Sequence, residues 1–137
     1  MSAHDARITL RQIQEAAQRA REICAGRTME TLLADWQATA ALERFVMIIG
    51  EAVKRLPSGL CARYPGVPWK EIAGTRDHLS HGYDVVDYQV LWDAVQTDVP
   101  VLLATVQRML NDLGGDDDAG TRSPSGGGRQ ERRTESG

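Results

Sequence analysis

Residues 35–56 read DWQATAALERFVMIIGEAVKRL. Ala38, Ala41, Leu42, Phe45, Ile48, Ile49, Ala52, Val53 and Leu56 recur at three- and four-residue steps, the period of one face of an α-helix. Pro57 closes the run. Each large side chain that is fully buried contributes about 1.5–3 kcal/mol, so this face alone can anchor a bundle. Gly50 costs about 1 kcal/mol of helix propensity against Ala. A glycine there makes sense if another backbone passes close. Glu51 is either a solvated helix charge or a polar partner for Arg76.

Upstream, a first helix is expected from about Ala3 or Asp5 to Ala25, with Leu10, Ile13, Ala17, Ala20 and Cys24 on one face. Gly26 is placed to cap it. Thr28 can open a short helix carrying Met29, Leu32 and Leu33. Downstream, Pro57, Gly59, Pro65, Gly66 and Pro68 mark a loop with room for one helical turn. Pro68 suits the first turn of the next helix, which Trp69 begins. Asp87 can cap a last long helix, with Trp92, Val95, Val99, Leu102, Val106 and Met109 at core spacing. A second line, Leu91, Ala94, Val101, Leu103 and Leu110, broadens its apolar surface, and a homodimer would bury the excess. Pro100 should kink this helix. The reading is an all-α fold, an up-and-down bundle of four to five helices. It occupies residues 1–112, and a disordered tail rich in Gly, Ser, Asp and Arg occupies 113–137.

Residues 76–83, RDHLSHGY, concentrate the chemistry. Arg76 cannot give up its proton, so it is a permanent anion clamp. His81 titrates near pH 6.5, roughly, and can act as acid or base. Asp77 lies four residues before His81, the helical spacing at which side chains meet, and could fix the imidazole's tautomer. At about 100° per residue, Arg76 and Tyr83 share a side with Trp69, Ile72 and Leu79. The arginine thus points toward apolar surface, where a charge needs a partner or a ligand. Five residues turn a regular helix by roughly 140°, so one straight helix would not aim Arg76 and His81 at a single phosphate. Either the helix distorts near Gly82, or two identical helices complete one composite site. The composite site is the preferred expectation. Plainer readings are an Arg76 ion pair with Glu51 or Asp77, a surface His81 paired with Asp77, and a rim Tyr83. His78 lies on another side and is read as solvated.

The chain carries 16 basic and 19 acidic residues, a net charge of −3. A nucleic-acid role therefore needs a local positive cleft rather than a general basic field. No apolar run approaches the roughly 18 residues needed to cross a membrane. The N-terminal residues show no signal-peptide pattern, so a cytoplasmic protein is expected. Cys24 and Cys61 fit neither a metal-ligand spacing nor a disulfide framework and read as reduced core thiols. His4, His78 and His81 do not form a metal set, and no metal or cofactor is expected.

With these residues the chain resembles HEPN-domain proteins of the HepT-like group, ribonuclease toxins of toxin–antitoxin pairs. The likeness rests on Arg76-x4-His81-x-Tyr83, Ile49-Gly-Glu-Ala52, Pro68-Trp69, Trp92 and Asp98-Val-Pro100, and covers about residues 5–112. Asp77 stands where many members have Asn. The resemblance implies a helical homodimer whose motif helices share one cleft. It also implies metal-independent RNA cleavage by attack of a ribose 2′-OH on the adjacent phosphate, with Arg76, His81 and Asp77 as catalytic residues. Tyr83 is implied as the acceptor of AMP transferred by a cognate nucleotidyltransferase antitoxin. Two alternatives stay open: a non-catalytic helical dimer that binds nucleotide or serves as a nucleotidyltransferase partner subunit, and a plain helical interaction module.

Overall fold

The computed structural model describes residues 1–75 and 86–122, with side chains as far as Gly114. Every element among the described residues is helical. The elements are α1 (Ala3–Cys24), α2 (Met29–Leu33), α3 (Trp36–Arg55), α4 (Ser58–Ala62), α5 (Trp69–Ala73), α6 (Tyr88–Asp93), a π-helical turn (Ala94–Asp98) and α7 (Val99–Arg122). The all-α expectation holds. Among these residues no helix is long and apolar enough to cross a membrane.

The sequence dictates the ends of these elements. Ser2 accepts from the Asp5 N–H at 3.0 Å and opens α1, satisfying one of the donors a helix start leaves orphaned. Gly26 takes φ +74°, the left-handed turn that ends α1. Thr28 and Thr31 cap α2 reciprocally. The Asp35 carboxylate accepts from the Ala38 N–H at 3.1 Å and starts α3.

Helices α1 and α3 are antiparallel: the Arg55 guanidinium reaches Gln12 Oε1 at 2.6 Å. Helix α7 is also antiparallel to α1, with Gln14 donating to Gln107 at 2.9 Å. The core lies between these three. Leu10, Ile13, Leu42, Leu91, Leu102, Val106 and Met109 are almost wholly removed from solvent.

Three details add to the sequence reading. The irregularity at Pro100 takes the form of the π turn Ala94–Asp98, in which the Val99 N–H bonds to the Ala94 carbonyl. Proline has no N–H and its ring crowds the carbonyl four residues back. A wider turn just before it relieves that crowding. Of the second apolar line, Leu91 and Leu110 are buried within this chain, Ala94 and Leu103 are partly covered and Val101 is exposed. Finally, α7 runs from Val99 to Arg122, across Gly114 and Gly115. Glycine taxes a helix by about 1 kcal/mol but does not forbid it.

Candidate functional site

Arg76, Asp77, His81 and Tyr83 fall in 76–85 and lie outside the described residues, as does His78. What is described is the platform from which that segment departs and to which it returns.

The departing side is α5. Pro68 precedes its first turn, and Trp69 anchors it, donating Nε1–H to the Tyr64 carbonyl at 2.9 Å. Ile72 is buried against α3. The contact is so close that a Cβ on Gly50 would stand 3.2 Å from the Ile72 carbonyl oxygen. This is the backbone approach that the glycine in α3 foretells. Gly74 (φ −88°, ψ 2°) ends α5, and the side on which Arg76 falls lies outside the described residues. Thr75 is buried, and its hydroxyl donates to the Glu71 carbonyl at 2.9 Å. The residue bonded directly to Arg76 is therefore held on both its apolar and its polar side.

The returning side is equally fixed. Asp87 accepts from the N–H groups of Gln89 and Val90 at 3.1 and 3.2 Å, capping α6. The π turn follows, and Asp98 at its end lines a narrow cavity of about 20 Å³ with Val46, Ile49, Ile72 and Thr75. Burial pushes the Asp98 carboxyl pKa up, and the nearby Glu71 charge adds to the effect. Sequence reasoning used Asp98 only as a landmark. The available signal was a carboxylate between Val95, Val99 and Leu102, on a face that is otherwise apolar.

Glu51 pairs with Lys54, Oε2 to Nζ at 3.6 Å, with both side chains about half exposed at 44% and 45%. Whether it also meets Arg76 lies outside the described residues. Among those residues no group of three or more His, Cys, Asp or Glu is arranged to hold a metal ion. Cys24 and Cys61 are free and buried, and burial raises both thiol pKa values. Neither is poised as a nucleophile.

The ten-residue segment 76–85 is bracketed by buried Ile72 and Thr75 on one side and by the Asp87-capped α6 on the other. The family described as "Ribonuclease HepT-like" matches residues 13–109. "Putative RNase MJ0127" of Methanocaldococcus jannaschii is 37% identical over 91 residues, 66% of this chain and 75% of that protein. "Putative RNase TTE0752" of Caldanaerobacter subterraneus is 41% identical over 85 residues, 62% of this chain and 76% of its own. "Probable ribonuclease HepT" of Thermococcus cleftensis is 39% identical over 89 residues, 65% and 77% of the two chains. No solved structure matches significantly.

Proposed function

Since the chain belongs to the HepT-like ribonuclease family, we propose that it is a metal-independent endoribonuclease toxin, active as a homodimer and neutralised by adenylylation of Tyr83. The observation that carries this is Arg76-x4-His81-x-Tyr83, set in a family of ribonucleases and flanked in the chain by α5 and α6.

In this reading one His81 takes the proton of a ribose 2′-OH as the oxygen attacks the adjacent phosphorus. The bond to the 5′-oxygen breaks, and that oxygen takes a proton from the second His81 across the dimer. The products are a 2′,3′-cyclic phosphate and a 5′-OH. Arg76 stabilises the charge that gathers on the phosphorane oxygens, by a few kcal/mol if it resembles oxyanion sites. Asp77 orients His81 through the four-residue helical spacing. Acid–base transfer and a fixed cation cover the needs of this reaction, so no metal enters it. Regulation uses the third motif residue. The Tyr83 oxygen attacks the α-phosphorus of ATP held by a partner nucleotidyltransferase, its proton passes to a base, and pyrophosphate leaves. The adenylate then sets a bulky anion beside Arg76 and blocks RNA.

The test is expression of wild type and His81→Ala in a host. Wild type should arrest growth and fragment RNA. The variant should do neither while keeping an unchanged helical spectrum. Undiminished cleavage by His81→Ala would overturn the mechanism, and AMP or partner binding without any cleavage by wild type would favour a non-catalytic binding dimer.

A further inference from the structure

Trp36 is 75% exposed at the start of α3, the most open of the large apolar side chains among the described residues. Its position is nonetheless fixed. Asp35 caps α3 and holds Arg27 at 3.3 Å, and the buried Thr39 donates its hydroxyl to the Leu32 carbonyl at 2.7 Å. These contacts lock the corner between α2 and α3 that carries the indole.

Trp36, Ala40 and Glu43 follow one another at steps of four and three residues, so they share a face of α3. With Leu33, Thr39 and Tyr88 they line an open groove of about 410 Å³. Tyr88 opens α6, the first helix after segment 76–85. Its hydroxyl is hydrogen-bonded to Glu43, and burial first, then that carboxylate, raises the Tyr88 pKa. The groove thus presents an indole, a phenol ring and a partly buried carboxylate. Among the described residues no lysine or arginine lines it.

We propose that this groove is a base-binding subsite for single-stranded RNA, selective for guanine. The inference rests on the ribonuclease reading above for its ligand and adds a substrate preference to it. Any nucleobase stacks on an aromatic side chain. Trp36 supplies the open ring face for that, and Tyr88 a second aromatic wall. Glu43 supplies the selection. A carboxylate only accepts hydrogen bonds and has about four lone-pair sites, of which the Tyr88 hydroxyl takes one. Guanine alone among the four bases sets two donors side by side, N1–H and the N2 amino group. Adenine and cytosine place a ring acceptor beside their amino donor, and uracil flanks its N3–H with two carbonyl oxygens. Each of those three turns a lone pair toward the carboxylate. The absence of a cation from the lining suits a base and not a phosphate, the part of the substrate assigned above to Arg76. An arginine from a protein partner also stacks and also donates to a carboxylate. Membership of a ribonuclease family favours the base.

Binding and cleavage measured separately on the full chain test this. Binding uses labelled RNA hexamers with 2′-O-methyl groups, which lack the attacking hydroxyl: all uridine, or uridine with a single guanosine, adenosine or cytidine. Wild type should bind the guanosine hexamer about tenfold more tightly than the others. Glu43→Gln keeps the side-chain shape but brings a donor of its own, and should erase that preference. Trp36→Ala should weaken all four by about tenfold, and Trp36→Phe, which keeps a ring, should recover most of the loss. Helical spectra should stay unchanged, because neither side chain belongs to the core. On ordinary RNA, wild type should cut at a fixed position relative to guanosine, and Glu43→Gln should lose that bias. Equal binding of the four hexamers by wild type overturns the subsite and leaves the ribonuclease reading standing. RNA binding untouched by Trp36→Ala overturns it as well, and loss of nucleotidyltransferase binding in that variant would then give the groove to a protein. The predicted binding pattern without cleavage of ordinary RNA supports the subsite and overturns the ribonuclease reading.

Discussion

Gly50 of α3 lies directly beneath the carbonyl oxygen of Ile72 in α5, with 3.2 Å between that oxygen and the place a Cβ would occupy. The Ala73 oxygen is 3.6 Å from the same point. Adding a methyl gains about 1 kcal/mol of helix propensity but forces α5 outward by a few tenths of an ångström. Gly50→Ala is expected to leave stability within about 1 kcal/mol of wild type by these opposing terms. Gly50→Val should cost about 1–3 kcal/mol by overpacking. Both should slow RNA cleavage, because only Gly74 and Thr75 separate α5 from Arg76 in the chain. Denaturant titration and cleavage rates on the same preparations check this.

The Tyr64 hydroxyl donates to the Asp112 carboxylate, tying the end of α4 to α7, and the Arg108 guanidinium lies 5.5 Å from the ring centroid. The hydrogen bond raises the Tyr64 pKa, with burial contributing next. A raised folded-state value means stability that is complete below the unfolded pKa of about 10. That stability is lost as pH climbs through the folded value. Tyr64→Phe should cost about 1 kcal/mol at neutral pH, a few degrees of Tm. It should also remove part of the loss seen above pH 10, measured by thermal unfolding across that range.

Asp98 is destabilising in its charged form, since burial first and Glu71 second hold its pKa above the ordinary value. Its contribution to stability is therefore full below about pH 4 and falls as pH rises through the elevated folded value. Asp98→Asn should match wild type in acid and exceed it at pH 7. Unfolding curves at the two pH values decide it.

Tyr83 can be tested without touching cleavage. Tyr83→Phe should still cut RNA and arrest growth, yet gain no adenylate mass on incubation with ATP and the partner nucleotidyltransferase. Co-expression of that partner should then fail to rescue growth. Rescue of the Phe variant would show that neutralisation does not run through this hydroxyl.

The fold was legible where pattern and capping agree. The stripe from Leu10 to Cys24 is buried as its period requires, and Thr28 and Asp35 cap the helices they precede. The glycine in the middle of α3 already implied a close backbone, which Ile72 supplies. Pro100 signalled an irregularity but not its kind, because proline is relieved equally by a kink or by a π turn. Leu91 and Leu110 were read as surplus surface, since period alone does not tell which helix closes over a second stripe. At the site, residue types and spacing single out Arg76, His81 and Tyr83 as candidates, and all three lie outside the described residues. Asp98 escaped notice because its importance comes from what α3 and α5 bring beside it, and no local pattern encodes that.

The most direct measurement is the rate and end chemistry of RNA cleavage by purified protein in excess chelator. Wild type should cleave at an undiminished rate and leave 2′,3′-cyclic phosphate and 5′-OH ends. His81→Ala should be slower by about 10²–10⁴-fold, the usual share of general acid–base catalysis. Arg76→Lys should also lose activity, because a point charge does not replace the planar fork. Cleavage that stops in chelator and returns with a divalent ion, or that proceeds at the wild-type rate in His81→Ala, would contradict the account.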